Sequence, residues 1–291
     1  MPNNDTENIY SEKYKEGGGG GGDCVLTRSI TSAIDVGGIS KDTTFAEGTA
    51  LTDMWAYLLE PTLYPSYVAP SAALAYQLDS YYEVGATIPA RTATVTYDAG
   101  AIVIGSTVQN HRGGAATQFA VDTTGADTDY NDTDPSSGTF SVPALTRSTK
   151  GQVKIFGTVS FSEGPQPKDS KGNDYGTPLP AGTVSASKTA NFIQAFFYGV
   201  ADSVPIADFT GFTKLVQPKA NRTFNFTTNN QYMVVAYDSS YGNLTSILDG
   251  NGFEVIGGWT KSTLVVNGFT YNVYTANSPT TDTNAPFTFK F

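Results

Sequence analysis

The chain is predicted to be mainly β: two β-sandwich units of immunoglobulin-like or jelly-roll-like type, a flexible N-terminal arm and one short α-helix. Three observations carry this. Short runs rich in Val, Ile, Thr, Tyr and Phe alternate apolar and polar residues and are bounded by Gly, Pro, Asp and Asn. Charged residues are only 15% of the chain, with Gly 30, Tyr 17 and Phe 17, a composition suited to hydroxyl-rich sheet faces and polar turns. Helical spacing is sustained in a single place.

In chain order, residues 1–23 form a Gly-rich arm. Gly17 to Gly22 are six consecutive glycines, which behave as flexible coil and suit a tether or docking arm. Residues 24–70 form an N-terminal segment with strands in CVLTRSITSAIDV and GISKDTTF, followed by the helix. Leu51, Met54, Trp55, Leu58 and Leu59 fall at i, i+3, i+4, i+7 and i+8, the apolar stripe of a helix packed on one side. Thr49 stands at the N-cap position, Asp53 in the first turn, and Pro61 stops the helix.

Residues 71–188 read as the first sandwich. Val95 and Tyr97 share one face of TATVTYD, and Ile155, Gly157, Val159 and Phe161 share one face of the KIFGTVSF strand. Residues 189–291 read as the second. Asn267-Gly268 between Leu264–Val266 and FTYNVYT is the strongest short signal for a type I′ hairpin turn. The last strand alternates, with Phe287, Phe289 and Phe291 on one face. The two β units share no repeat period.

Charge and cysteine content limit the function classes. Lys+Arg 17 against Asp+Glu 27 gives a net charge of −10, which argues against a nucleic-acid backbone as partner. Cys24 is the only cysteine, so no internal disulfide is possible, and a lone thiol suits assembly in a reducing cytoplasm. The polar, acidic start lacks the apolar stretch of a secretory signal, and no run approaches a membrane span. The NDT, NRT, NFT and NLT triplets at Asn131, Asn221, Asn225 and Asn243 carry little weight in that setting.

Catalytic signatures are sparse. His111 is the only histidine, and its polar QNHRGGAAT context reads as an exposed loop rather than a triad member or zinc ligand. Asp122, Asp127, Asp129, Asn131, Asp132 and Asp134 supply dense hard oxygens. Their spacing echoes an EF-hand only at first: Asp132 stands where the loop glycine belongs, and Gly138 where the final glutamate belongs. A solvated acidic loop is the favoured expectation, with no metal and no cofactor. Glu163, Asp169 and Asp174 offer a carboxylate pair for glycoside hydrolysis, yet no local feature singles them out. Tyr81, Tyr82, Tyr237, Tyr241 and Trp259 lie beside predicted turns, as sheet-edge packing or as sugar-stacking platforms. No enzymatic activity is expected.

Four stretches resemble one group of proteins. VGGIxxxTTFxxGTxLTDMWxxLLxPxxYP (Val36 to Pro65), YYEVGATI (Tyr81 to Ile88), VSFSEGPQPKDSKGNDYGTPLPAGTVSAS (Val159 to Ser187) and QYMVVAYDSSYGNLTSILDGNGFEV (Gln231 to Val255), with the terminal TFKF, are similar to virion proteins of tailed bacteriophages. The likeness is greatest to phages of Bacteroides-type hosts, including the crAss-like group. The resemblance implies a non-enzymatic structural protein of the tail, baseplate or fibre region, located in the virion and assembled in the host cytoplasm. The alternatives it leaves open are a host receptor or glycan-binding module, and a head fibre or decoration protein. The implied partners are other virion proteins and further copies of the chain in a trimer or ring, with a host surface glycan as an additional partner. Candidate subunit contacts are Trp55, Leu58 and Leu59 on the helix, with Tyr10 and Tyr14 on the arm.

Overall fold

A computed structural model describes residues 24–36, 38–59, 61–281 and 283–291. These residues form short β-strands, one α-helix and two 3-10 turns, as the composition and alternation predict. The chain divides into two compact units. The first gathers Met1–Val68, Ala101–His111 and Pro165–Pro178; the second takes Ala69–Gly100, Arg112–Gly164 and Leu179–Phe291. The sequence division kept 101–111 and 165–178 inside the middle sandwich. They leave it because Ala101–Ile104 pairs with Ser66–Val68, and because Leu63 and Ser170 exchange hydrogen bonds of 2.8 and 2.9 Å. Such long-range pairings leave no trace in local alternation.

The first unit is lightly built. A three-stranded antiparallel sheet runs Ser66–Val68, Ala101–Ile104, Thr107–Asn110. The strands predicted across 24–46 reduce to the two-residue pair Ile30–Thr31 and Thr44–Phe45. The helix spans Leu51–Leu59 and ends before Pro61, whose ring cannot continue it. Thr49 is not its cap: its hydroxyl donates to the Ala46 carbonyl at 2.8 Å, closing the preceding turn. Gly38 is required where it stands. Its N–H donates to the Tyr57 carbonyl at 3.0 Å, and a Cβ there would lie 2.2 Å from that oxygen.

Within the second unit, the first sandwich sets a five-stranded sheet against a three-stranded one. The larger sheet is ordered Asn131–Asp134, Ala116–Thr124, Gly151–Phe161, Gly182–Ile193, Tyr81–Glu83, and only its last pairing is parallel. The smaller is Thr139–Val142, Arg91–Asp98, Ser71–Ala75. Val153, Ile155, Gly157, Val159 and Phe161 all point inward, as their shared parity requires. A Cβ on Gly157 would lie 2.8 Å from Val95 Cγ2 and 3.3 Å from Leu74 Cδ1, so the two sheets approach closely at that point.

The predicted boundary at 188/189 falls inside the strand Gly182–Ile193, whose Phe192 completes the first core. The change of core comes at Gln194 and Ala195, and Phe196 already belongs to the second. There, a five-stranded sheet (Thr213–Leu215, Phe196–Ala201, Tyr232–Asp238, Phe269–Ala276, Trp259–Val266) faces Arg222–Thr228, Thr283–Lys290 and Ser246–Leu248. The hairpin turn is as predicted: Asn267 and Gly268 have φ of 52° and 80°, and Val266 pairs with Phe269. Tyr232–Asp238 is buried on both faces. Met233, Val235 and Tyr237 face the aromatic core, while Val234 and Ala236 face a smaller cluster closed by Phe209 and Phe212.

Ion pairs join residues of the two sandwiches. Lys150 Nζ donates to both Asp238 oxygens, at 3.1 and 2.8 Å, and to Ser240 Oγ at 3.2 Å. Lys214 Nζ meets Glu83 Oε2 at 2.6 Å. Burial alone would raise the Asp238 pKa. The hydrogen bonds from Lys150 and Ser240 outweigh it and hold the carboxyl below its ordinary value.

Candidate functional site

The distribution of apolar surface sets the first unit apart. Of seventeen large hydrophobic side chains exposed among the described residues, all but Tyr81, Val204, Phe253 and Val265 lie in it. Among the described residues its buried apolar side chains are few: Ile39, Phe45 and Ile102, joined by Pro65 and Pro167. Contiguous exposed apolar surface of this kind is uncommon on monomeric proteins, whereas scattered single residues are ordinary.

The helix sits at the centre of this imbalance. No residue of it is buried. The predicted stripe splits: Leu51, Met54 and Leu58 are half-buried, while Trp55 is 57% and Leu59 72% exposed. Tyr57, off the stripe, supplies a contact that sequence spacing did not indicate, packing edge-on against Phe45 with ring centres 5.5 Å apart. Of the predicted subunit contacts, Trp55 and Leu59 therefore present open apolar surface, and Leu58 is half occupied by its own fold. Tyr10 and Tyr14, and the arm they belong to, lie outside the described residues.

Two further features of the first unit are exposed. The strands Ser66–Val68 and Thr107–Asn110 are the two edges of its sheet, and every residue in both is exposed. Edge strands are the places where a sheet can be extended by another strand. Tyr67, Val68 and Val108 on these strands add apolar surface. In the neighbouring 165–178 segment Tyr175 packs on Tyr64 with ring centres 4.7 Å apart, and Lys168 pairs with Asp174 at 3.1 Å.

Asp169, weighed for glycoside hydrolysis, and the acidic residues weighed for calcium make local hydrogen bonds. Asp169 accepts the backbone N–H groups of Lys171 and Asn173 at 2.8 and 2.9 Å. Partial desolvation pushes its pKa up, but the hydrogen bonds from Asn173, Lys171 and Gly172 prevail and lower it. Asp127 accepts from the Ser148 backbone and hydroxyl, both at 2.9 Å. Asp134 holds the Ser136–Ser137 turn, and Asp132 accepts from the Tyr130 hydroxyl. Asn131–Asp134 forms a strand paired with Phe119–Asp122. Among the described residues no group of three or more His, Cys, Asp or Glu side chains is placed to hold a metal ion.

The aromatics beside the turns divide. Tyr237 is fully buried and Trp259 is 9% exposed; both belong to the second core. Tyr241 packs with them, and Tyr82 stacks on Phe192 at 5.5 Å. Tyr81 alone of the five is exposed. Four of the five therefore pack against their own sheets, the sheet-edge reading of these aromatics, and Tyr81 is the exception. Comparison with protein-family models, curated proteins and solved structures found no match.

Proposed function

We propose that this chain is a non-enzymatic structural protein of a tailed-phage virion, assembling in the tail, baseplate or fibre region through contacts made by its first compact unit. The observation that carries the proposal is the concentration of exposed apolar side chains on a unit with few buried ones. Burying Trp55, Leu59 and their exposed neighbours against another copy or another virion protein supplies the stabilisation that the small core lacks. The exposed edges Ser66–Val68 and Thr107–Asn110 add backbone pairing to the same contact. The four motif stretches that resemble virion proteins point to the same setting.

The test is the mass in solution, by light scattering, of the full chain, of a form lacking residues 1–35, and of a Trp55→Ser/Leu59→Ser double variant. A trimer or larger ring that dissociates in either altered form supports assembly through this unit. A full-length chain that stays monomeric alone and in mixtures with the other virion proteins refutes it.

A further inference from the structure

Trp259–Val266 is an edge of the five-stranded sheet in the second sandwich. It is 8 residues long, and among the described strands it pairs only with Phe269–Ala276. In an antiparallel ladder alternate residues turn both backbone groups away from the partner strand. The two-residue turn makes Val266 and Phe269 a hydrogen-bonded pair, so Leu264, Ser262 and Thr260 bond inward while Lys261, Thr263 and Val265 point outward. The far end keeps the same phase. The Asn277 N–H donates to the Gly258 carbonyl at 2.9 Å, and the Trp259 N–H turns to the Ile256 carbonyl instead. Among the described residues the outward backbone groups of Lys261, Thr263 and Val265 meet no protein partner, and all three side chains are exposed. Other edges are short or charged, which discourages pairing: Thr213–Leu215 has 3 residues, and Asn131–Asp134 carries Asp132 and Asp134. The one charge on Trp259–Val266 is drawn aside, Lys261 Nζ donating to Asn243 Oδ1 at 2.6 Å.

We propose that this edge pairs with the same strand of a second copy, antiparallel about a two-fold axis at Thr263, so that two five-stranded sheets become one. The strand is its own complement in that register. Thr263 faces Thr263 of the second copy, and Lys261 faces Val265. The outward groups of all three residues are then bonded, and the only charge never meets its equal. A chain of net charge −10 repels its own copies. No acidic residue lies on this strand, so two copies can approach along it without opposing carboxylates. The surface belongs to the second unit and does not rest on the assembly role proposed for the first.

Sedimentation equilibrium of the full chain and of the Trp55→Ser/Leu59→Ser variant, from about 1 µM to about 1 mM, separates this pairing from contacts of the first unit. A doubling of mass with concentration in both proteins is the expected result. Thr263→Pro removes an outward N–H and no bond to Phe269–Ala276, so it should keep its strand signal in circular dichroism and lose the doubling. Val265→Lys sets two lysines opposite each other and should weaken the doubling about threefold or more, whereas Val265→Glu sets a carboxylate opposite Lys261 and should strengthen it by a similar factor. Net charge alone predicts the reverse order, because glutamate adds to the excess of negative charge. If Thr263→Pro loses its strand signal, the two Val265 variants decide alone. A chain that never doubles leaves the edge to a different partner and overturns the proposal. So does doubling that survives in folded Thr263→Pro, or Val265 variants that respond equally or in the reverse order.

Discussion

Replacing Phe289 by alanine should remove a large share of the stability of the second sandwich. Phe289 is 1% exposed on Thr283–Lys290, the middle strand of its three-stranded sheet, where it pairs with Arg222 and Ile247. Its ring meets Trp259 edge-on at 5.3 Å, Phe224 at 5.8 Å and Phe226 at 6.2 Å. Burial of a phenyl side chain contributes about 1.5–3 kcal/mol, and each aromatic pair about 0.5–1.5 kcal/mol beyond its area. Phe224 and Phe226 are held on one strand and Trp259 on another, so they cannot all move in to close the gap, and part of the cavity persists. The expected loss is about 3–5 kcal/mol. At a urea dependence of about 2 kcal/mol per molar, the unfolding midpoint falls by roughly 2 M. Equilibrium unfolding followed by tryptophan fluorescence suits the measurement, because Trp259 reports from the same core. Phe253, 68% exposed, is the control, and Phe253→Ala should change stability by no more than about 0.5 kcal/mol. A loss below about 1 kcal/mol for Phe289→Ala, or equal losses for the two variants, would refute the assignment of this strand to the core.

Other expectations rest on separate observations. Deleting residues 287–291 removes Phe287, Phe289 and Phe291 and every pairing of Ser246–Leu248 with the last strand, so calorimetry should show loss of cooperative melting of the second sandwich. Gly138→Ala should destabilise by about 1–3 kcal/mol, because the new Cβ would lie 2.0 Å from the Val95 carbonyl oxygen, which is backbone and cannot step aside. Asp238→Asn should destabilise by about 1–2 kcal/mol at neutral pH, a figure reduced because Lys150 is 44% exposed. The Asp238 pKa is lowered in the fold, so its contribution is present above the ordinary carboxyl value of about 4 and is lost as pH falls below it. Urea titrations of both proteins across that range should show the difference shrink on acidification; a constant gap would contradict the role of the pair.

Local sequence determined much of the fold, because the properties it encodes are local. Alternation set the inward faces of Gly151–Phe161 and Arg91–Asp98, Asn267-Gly268 set its hairpin through the positive φ that both residues tolerate, and Pro61 ended the helix. Long-range pairing did not follow from such signals. Ala101–Ile104 and the 165–178 segment look like any other sandwich strand and loop, yet backbone pairing and the Leu63–Ser170 bonds assign them to the first unit. The candidate site divides in the same way. Helical spacing nominated Trp55, Leu58 and Leu59, but spacing fixes only which residues share a face. How much of that face remains open depends on the thickness of the core beneath it, which tertiary packing decides. Gln194 gave no signal in an apolar run. Only packing at the junction of the two sandwiches buries it and leaves its Nε2 without a partner.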